Sequence, residues 1–192
     1  MRTATQKHRS NGQDLVKGAV AGLVGGLVAS WTMNQFQAAW SKAAAGFEKP
    51  HGAQSMQPSD GSTPGQSPDK NNEDQDDATV KAAKAISENV FGHELTESEK
   101  RPAGAAVHYA FGTATGGLYG AAAEFAPEVT TGLGLPFGVA FWMVADEGAV
   151  PLLGLSKGPT EYPVSTHAYA LASHLVYGLT AEVTRRAVRN II

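Results

Sequence analysis

The chain has 192 residues, a length that suits one domain, and it carries a formal net charge of −3 with 42% hydrophobic and 17% charged residues. That charge argues against a nucleic-acid binder relying on bulk positive charge. The absence of cysteine excludes disulfide scaffolds, thiolate metal sites and cysteine nucleophiles.

The mean hydropathy of −0.20 is that of a soluble protein, but the apolar residues are concentrated in four windows. Residues 1–14 read as a cytoplasmic tail carrying Arg2, Lys7 and Arg9. The first window runs from Leu15 to about Gln37, is free of charge from Gly18 to Met33, and predicts a transmembrane helix over 15–40. A signal peptide is the competing reading, with Lys7, Arg9 and Lys17 as its basic region and Ala43-Ala44-Ala45 as its cleavage site. The apolar stretch is longer than a typical signal core, and its regular glycines suit a packed helix better.

Residues 41–77 form a polar and acidic linker that cannot bury enough apolar surface to offset its ordering entropy. Its acidic end, Asn71 to Asp77, lacks the spacing of a calcium-binding loop and reads as solvated charge. From Ala78, the residues Val80, Ala83, Ile86, Val90 and Phe91 recur at helical spacing. They predict an amphipathic helix of about 14 residues, capped by Asp77 and ended by Gly92, within an outer segment 78–102. Thr96-Glu97-Ser98-Glu99 fits a capping box for the next helix.

Three further spans are predicted over 103–123, 132–155 and 164–184. Ala103–Ala123 is interrupted only by His108 and lacks the polar face that a soluble bundle helix needs. The expected fold is all-α: four transmembrane helices, one outer amphipathic helix and a disordered linker. Arg2, Lys7, Arg9 and Lys17 open the chain and Arg185, Arg186 and Arg189 close it, so the positive-inside rule places both termini in the cytoplasm. The loop Phe125–Thr131 has no basic residue, and Lys157 is the one basic residue of the turn between the last two spans. Trp31, Trp40 and Tyr162 are placed like interfacial aromatics.

Gly18, Gly22, Gly26 and Ser30 are each four apart, as are Gly104, His108, Gly112, Gly116, Gly120 and Glu124. Such rows occupy one helix face and let backbones approach, either between spans of one chain or between chains. Ionisable residues are scarce in the spans, where a central charge costs about 3 kcal/mol or more. At about 1.5 Å per residue, His108 lies about 8 Å inside the outer end of its span. Asp146 and Glu147 lie about 8–13 Å inside, His167 about 5 Å and His174 about 15 Å. Glu182 lies near the inner end. His167, Leu171, His174 and Gly178 share one face, from which both histidines can meet Asp146 and His108.

A cluster of His108, Asp146, Glu147, His167 and His174 suits a proton relay or pH sensor, a metal site, or haem ligation. Mutual satisfaction with no turnover is the structural alternative. The segment Asp146–Pro151 reads either as a kink whose freed carbonyls suit a cation or water, or as an early helix end. No nucleophile elbow, phosphate loop, zinc-protease motif or dinucleotide fingerprint is present, so no catalytic residue is assigned.

The runs Phe137–Glu147, Val150–Leu155 and His174–Gly178 resemble the YagU-like family of small bacterial inner-membrane proteins. The resemblance covers residues 15–40 and 78–190. It implies a polytopic inner-membrane protein of unknown molecular function, and acid resistance is associated with the best-known member. It carries over no site residue. The expectation is a non-enzymatic membrane protein with no cofactor that supports acid or envelope stress tolerance through the His/carboxylate cluster. Its partners are the lipid bilayer and a homo-oligomer or complex subunit, not nucleic acid. Alternatives are an assembly subunit using the glycine faces and a metal- or haem-binding membrane protein.

Overall fold

A computed structural model describes residues 4–44 and 76–192, and among these all regular structure is helical. Five helices follow in order: α1 (Ala4–Ala44), α2 (Ala78–Ile86, prolonged by the π turn Ser87–Phe91), α3 (Glu97–Phe125), α4 and α5 (Val164–Arg189). α4 comprises Leu135–Val144, a π turn Ala145–Ala149 and a last turn Val150–Leu152. Two stretches, Gly12–Ala43 and Pro127–Leu152, are long and apolar enough to cross a membrane. Of the expected linker 41–77, residues 41–44 are the last turn of α1 and residues 45–75 lie outside the described residues. Residues 4–14 of the expected tail are helical and run without a break into the first expected span, since no proline interrupts α1.

Local chemistry sets the shorter elements. Asp77 Oδ1 accepts from the Val80 backbone at 2.9 Å and from the Thr79 hydroxyl at 2.6 Å, which starts α2. Gly92 ends that segment at φ +64°, a left-handed conformation that glycine adopts without steric cost. Only the first half of the expected apolar face is covered. Ala78, Val80 and Ala83 are buried, whereas Val90 and Phe91 are 70% and 75% exposed. α3 starts where the Glu99 carboxylate folds back to accept from the Thr96 backbone N–H at 2.8 Å and the Thr96 hydroxyl at 2.7 Å. These bonds, with His93 beside them, hold Glu99 down to about 2.

The third expected span differs in detail. Pro127–Gly134 forms 3-10 turns, with Leu133 at φ +57° between Gly132 and Gly134, and regular helix begins only at Leu135. The expected kink takes the form of a π turn: the N–H of Val150 bonds to Ala145 O, five residues back. Pro151 has no N–H to donate one turn back, and the helix widens just before it instead of stopping.

Two seams of small residues hold the helices together. In the first, α1 runs antiparallel to α3, with Gly18, Gly22, Gly26 and Ser30 facing Glu124, Gly120, Gly116 and Gly112 in steps of four. A Cβ added at Gly116 would lie 2.5 Å from Gly22 O and 2.5 Å from Gly26 Cα. In the second, α4 meets α5: a Cβ at Gly178 would lie 2.8 Å from Gly138 N and would collide with Gly134 O. Gly25 brings α1 against Ala181 of α5 in the same way. Between the seams sits a compact core of Ala29, Met33, Phe141, Ala145, Tyr177 and Ala181, flanked by Phe137. Tyr177 reaches across to donate its hydroxyl to Gly112 O at 2.5 Å.

This packing predicts an asymmetric response to one added methyl group. Gly116→Ala should cost about 1–3 kcal/mol, because two backbones must separate. Gly12→Ala, with nothing within 4 Å of the new Cβ, should be neutral or stabilise by up to about 1 kcal/mol. Denaturant unfolding of the full chain in detergent measures both.

Candidate functional site

The helices bury an unusual set of side chains. Ser30, Gln37, His108, Thr166, Ser173, His174, Glu182 and Arg185 are all buried, while Leu23, Leu27, Trp31, Leu118, Val144 and Leu152 are exposed. The buried ionisable residues form two clusters. One lies at the terminal end, where α1 begins and α5 finishes. The other lies at the distal end, near the α4–α5 turn.

The distal cluster is built by register. Continuing the four-residue step of the first seam sets Asn34 beside His108, and Asn34 Nδ2 donates to the neighbouring Tyr109 hydroxyl at 3.1 Å. Gly25 against Ala181 and Trp40 against Tyr169 align α1 with α5, which brings His174 to the level of Asn34. His174 Nδ1 donates to Ala170 O at 2.9 Å and lies 3.6 Å from Asp146 Oδ2, with the edge of Phe141 against its ring. His108 is buried with the Ser30 backbone beside it, and neither of its ring nitrogens makes a hydrogen bond of good geometry. Asn34 Oδ1, Gln37 Oε1, Trp142 Nε1, Asp146 Oδ1 and His174 Nε2 are also buried without a hydrogen-bond partner among the described residues.

The five residues expected to converge divide into two groups. His167 does not meet Asp146 or His108. Its Nδ1 lies 2.6 Å from Glu147 Oε1, and its Nε2 donates to Pro159 O at 2.9 Å, nearer the surface. Asp146 and Glu147 are consecutive in the π turn, point in different directions, and meet histidines two helical turns apart on α5. Among the described residues no three of His, Cys, Asp or Glu come close enough to hold a metal ion. The metal and haem readings therefore gain nothing from the geometry.

The terminal cluster centres on Glu182, which the sequence places only near the inner end of its span. That residue is fully buried, not simply near a helix end. It accepts from Tyr119 Oη at 2.9 Å, from Arg185 at 2.7 and 2.9 Å, and from Arg186 Nε. Glu124 accepts from Arg189 at 2.8 and 3.2 Å, and Arg189 reaches Asp14 of α1 at 3.0 Å. Lys17 Nζ donates to Ile192 O. The spacing of Glu182 with Arg185 and Arg186 carried the signal, since i+3 and i+4 residues are neighbours on a helix. Their basic character points first to orientation and hides this pairing.

The glycines proposed for packing lie in the two seams: Gly18, Gly22, Gly26, Gly112, Gly116 and Gly120 in the first, Gly178 in the second. The two polar clusters are separated by an aromatic layer. Phe137 stacks on Tyr119 at 4.0 Å, and Phe141 packs on Tyr177 at 5.0 Å.

The clusters differ in kind. At the terminal end every oxygen of Glu182 is matched by donors, which is how a buried charge is tolerated. At the distal end buried donors and acceptors are left without partners among the described residues, which is costly. Glu182→Leu should therefore destabilise the protein by about 3–5 kcal/mol by stranding Arg185. Adding Arg185→Leu should recover most of that loss in the same unfolding measurement.

No curated protein and no solved structure matches the chain. The model of a family described as "Protein of unknown function (DUF1440)" matches residues 67–183. The matched stretch takes in α2, α3, α4 and most of α5, with His108, Asp146, Glu147, His167, His174 and Glu182. The chain belongs to that family.

Proposed function

We propose that the chain is a multi-pass protein of the bacterial inner membrane. In this reading α1, α3, α4 and α5 span the bilayer, and both termini are cytoplasmic. Its inverted distribution supports this: large apolar side chains face out and polar ones face in, as a lipid environment requires. α3 has 29 residues and α5 has 26, each longer than the roughly 20 that a span needs. The contact of Lys17 with Ile192 supports one common side for the two ends.

Within that bundle we read His108, Asp146 and His174 as a protonation-responsive core, non-enzymatic in action, that serves acid or envelope stress tolerance. The observation that carries this is the buried Asp146–His174 couple at 3.6 Å, with unpartnered ring nitrogens on His174 and His108. Imidazole changes charge near neutrality, and an adjacent carboxylate stabilises the charged form. Adding a proton there changes the charge balance between α4 and α5, which the second glycine seam joins tightly. The titratable groups facing the couple are His108 from α3, with Asp77 of α2 beyond it, and Glu147 from α4, while the neutral Asn34 of α1 stands at the same level.

Two experiments test the reading. The chain has no cysteine, so single-cysteine variants report topology cleanly. In intact cells Ser156→Cys should react with an impermeant maleimide, while Gln13→Cys and Asn190→Cys should react only after lysis. Reaction of all three in intact cells refutes the topology. His174→Ala, expressed at the native level, should reduce survival at low pH to that of a deletion strain. Unaltered survival refutes the core.

A further inference from the structure

We propose that the Glu147–His167 pair is the intake through which protons reach the buried Asp146–His174 couple. This inference rests on the reading of that couple as a protonation-responsive core, and it adds a route and a direction.

Hydrogen-bond accounting carries the first step. Pro159 O can only accept, so His167 Nε2 must bear a proton. The other ring nitrogen then faces Glu147 Oε1 at 2.6 Å. A neutral imidazole would set a lone pair against an ionised carboxylate there, so one proton must lie in that contact. The pair thus holds one exchangeable proton, on His167 Nδ1 or on Glu147. The same accounting holds for His174: Ala170 O takes its Nδ1–H, and its Nε2 is left as the ring site that can gain a proton.

Placement carries the second step. Glu147 and Asp146 are consecutive in the π turn, and His167 and His174 lie seven residues apart on α5, about 10 Å along one face. Exposure falls along the series: the side chains of His167 and Glu147 are 25% and 22% exposed, those of Asp146 and His174 are 7% and 1% exposed. Asp146 Oδ1 is a buried acceptor without a partner among the described residues.

The other directions are closed or neutral. Tyr162 is the further titratable side chain packed against His167, edge-on at 6.5 Å. His108, with Asp77 beyond it, faces the couple from α3. Asn34 and Gln37 of α1 carry no charge. Toward the terminal end stand the aromatic layer and the saturated Glu182 network.

In the transfer, the O–H or N–H bond of the loaded pair breaks and an O–H bond to Asp146 forms, at the carboxylate that neighbours His174. A hydronium ion at the surface then reprotonates the pair and leaves as water. One proton enters the core for each one taken from outside, and no electron moves.

Histidine ¹⁵N resonances of the full chain in lipid nanodiscs, followed through the acid range, test the route. In the wild type the His174 signal should titrate. In Glu147→Gln, which keeps the side chain's size but not its basicity, His174 should reach the same protonated end state. Its proton exchange should slow on the order of a hundredfold. Glu147→Asp should restore most of the rate, as should added free imidazole, a readout that a purely structural pair would not move. Unchanged exchange in Glu147→Gln and in His167→Gln overturns the intake while leaving the core intact. A His174 signal that does not titrate in the wild type overturns the core reading and the intake together.

Discussion

The close approach of α1 to α3 is the constraint on which the rest of the molecule depends. Gly18, Gly22 and Gly26 meet Gly112, Gly116 and Gly120 so tightly that a single methyl group has no room. Contact at that range gains dispersion along the whole seam and needs no hydrophobic drive from the solvent. It also fixes where everything else must stand. Tyr177 can reach Gly112 O only because the seam leaves that carbonyl open to α5. His108 and Asn34 share a level only because the row continues beyond Ser30.

With the backbones so close, few large apolar residues are needed inside. The interior is taken up by aromatic rings and polar groups, and this is why ionisable side chains can be buried in numbers. The two ends use that freedom differently. At one end the charges cancel within a closed network of Glu182, Tyr119, Arg185 and Arg186. At the other, Asp146 and His174 approach without completing their bonds. In the first arrangement both carboxylate oxygens of Glu182 have donors, and in the second Asp146 Oδ1 and His174 Nε2 have no partner among the described residues.

Much of this is legible in the sequence where the determinant is local or periodic. Asp77, Gly92 and the Thr96–Glu99 pair mark helix ends through contacts spanning a few residues, and all three act as their types suggest. The four-residue rows announce a seam, although not which row meets which. What escapes is geometry that depends on a break in periodicity. Pro151 marks the segment Asp146–Pro151 as irregular but does not tell a widened turn from a helix end, and in that turn Glu147 meets His167 while Asp146 neighbours His174. The count of arginines likewise conceals that Arg185 and Arg189 spend their charge on Glu182 and Glu124.

The periodicity of the α1–α3 seam has a further consequence. A row of glycines repeating every four residues still fits part of its partner after a slip of one step, about 6 Å along the axis. Such a slip keeps two of the three glycine pairs and sets the third glycine against His108 or Glu124. The side chains at the two ends of the seam oppose the slip. Ser30 must abut Gly112, Asn34 must find Tyr109, and Asp14 and Glu124 must share Arg189. The polar termini of the seam thus act as indexing pins, reinforcing the one notch in which all three glycine pairs are made.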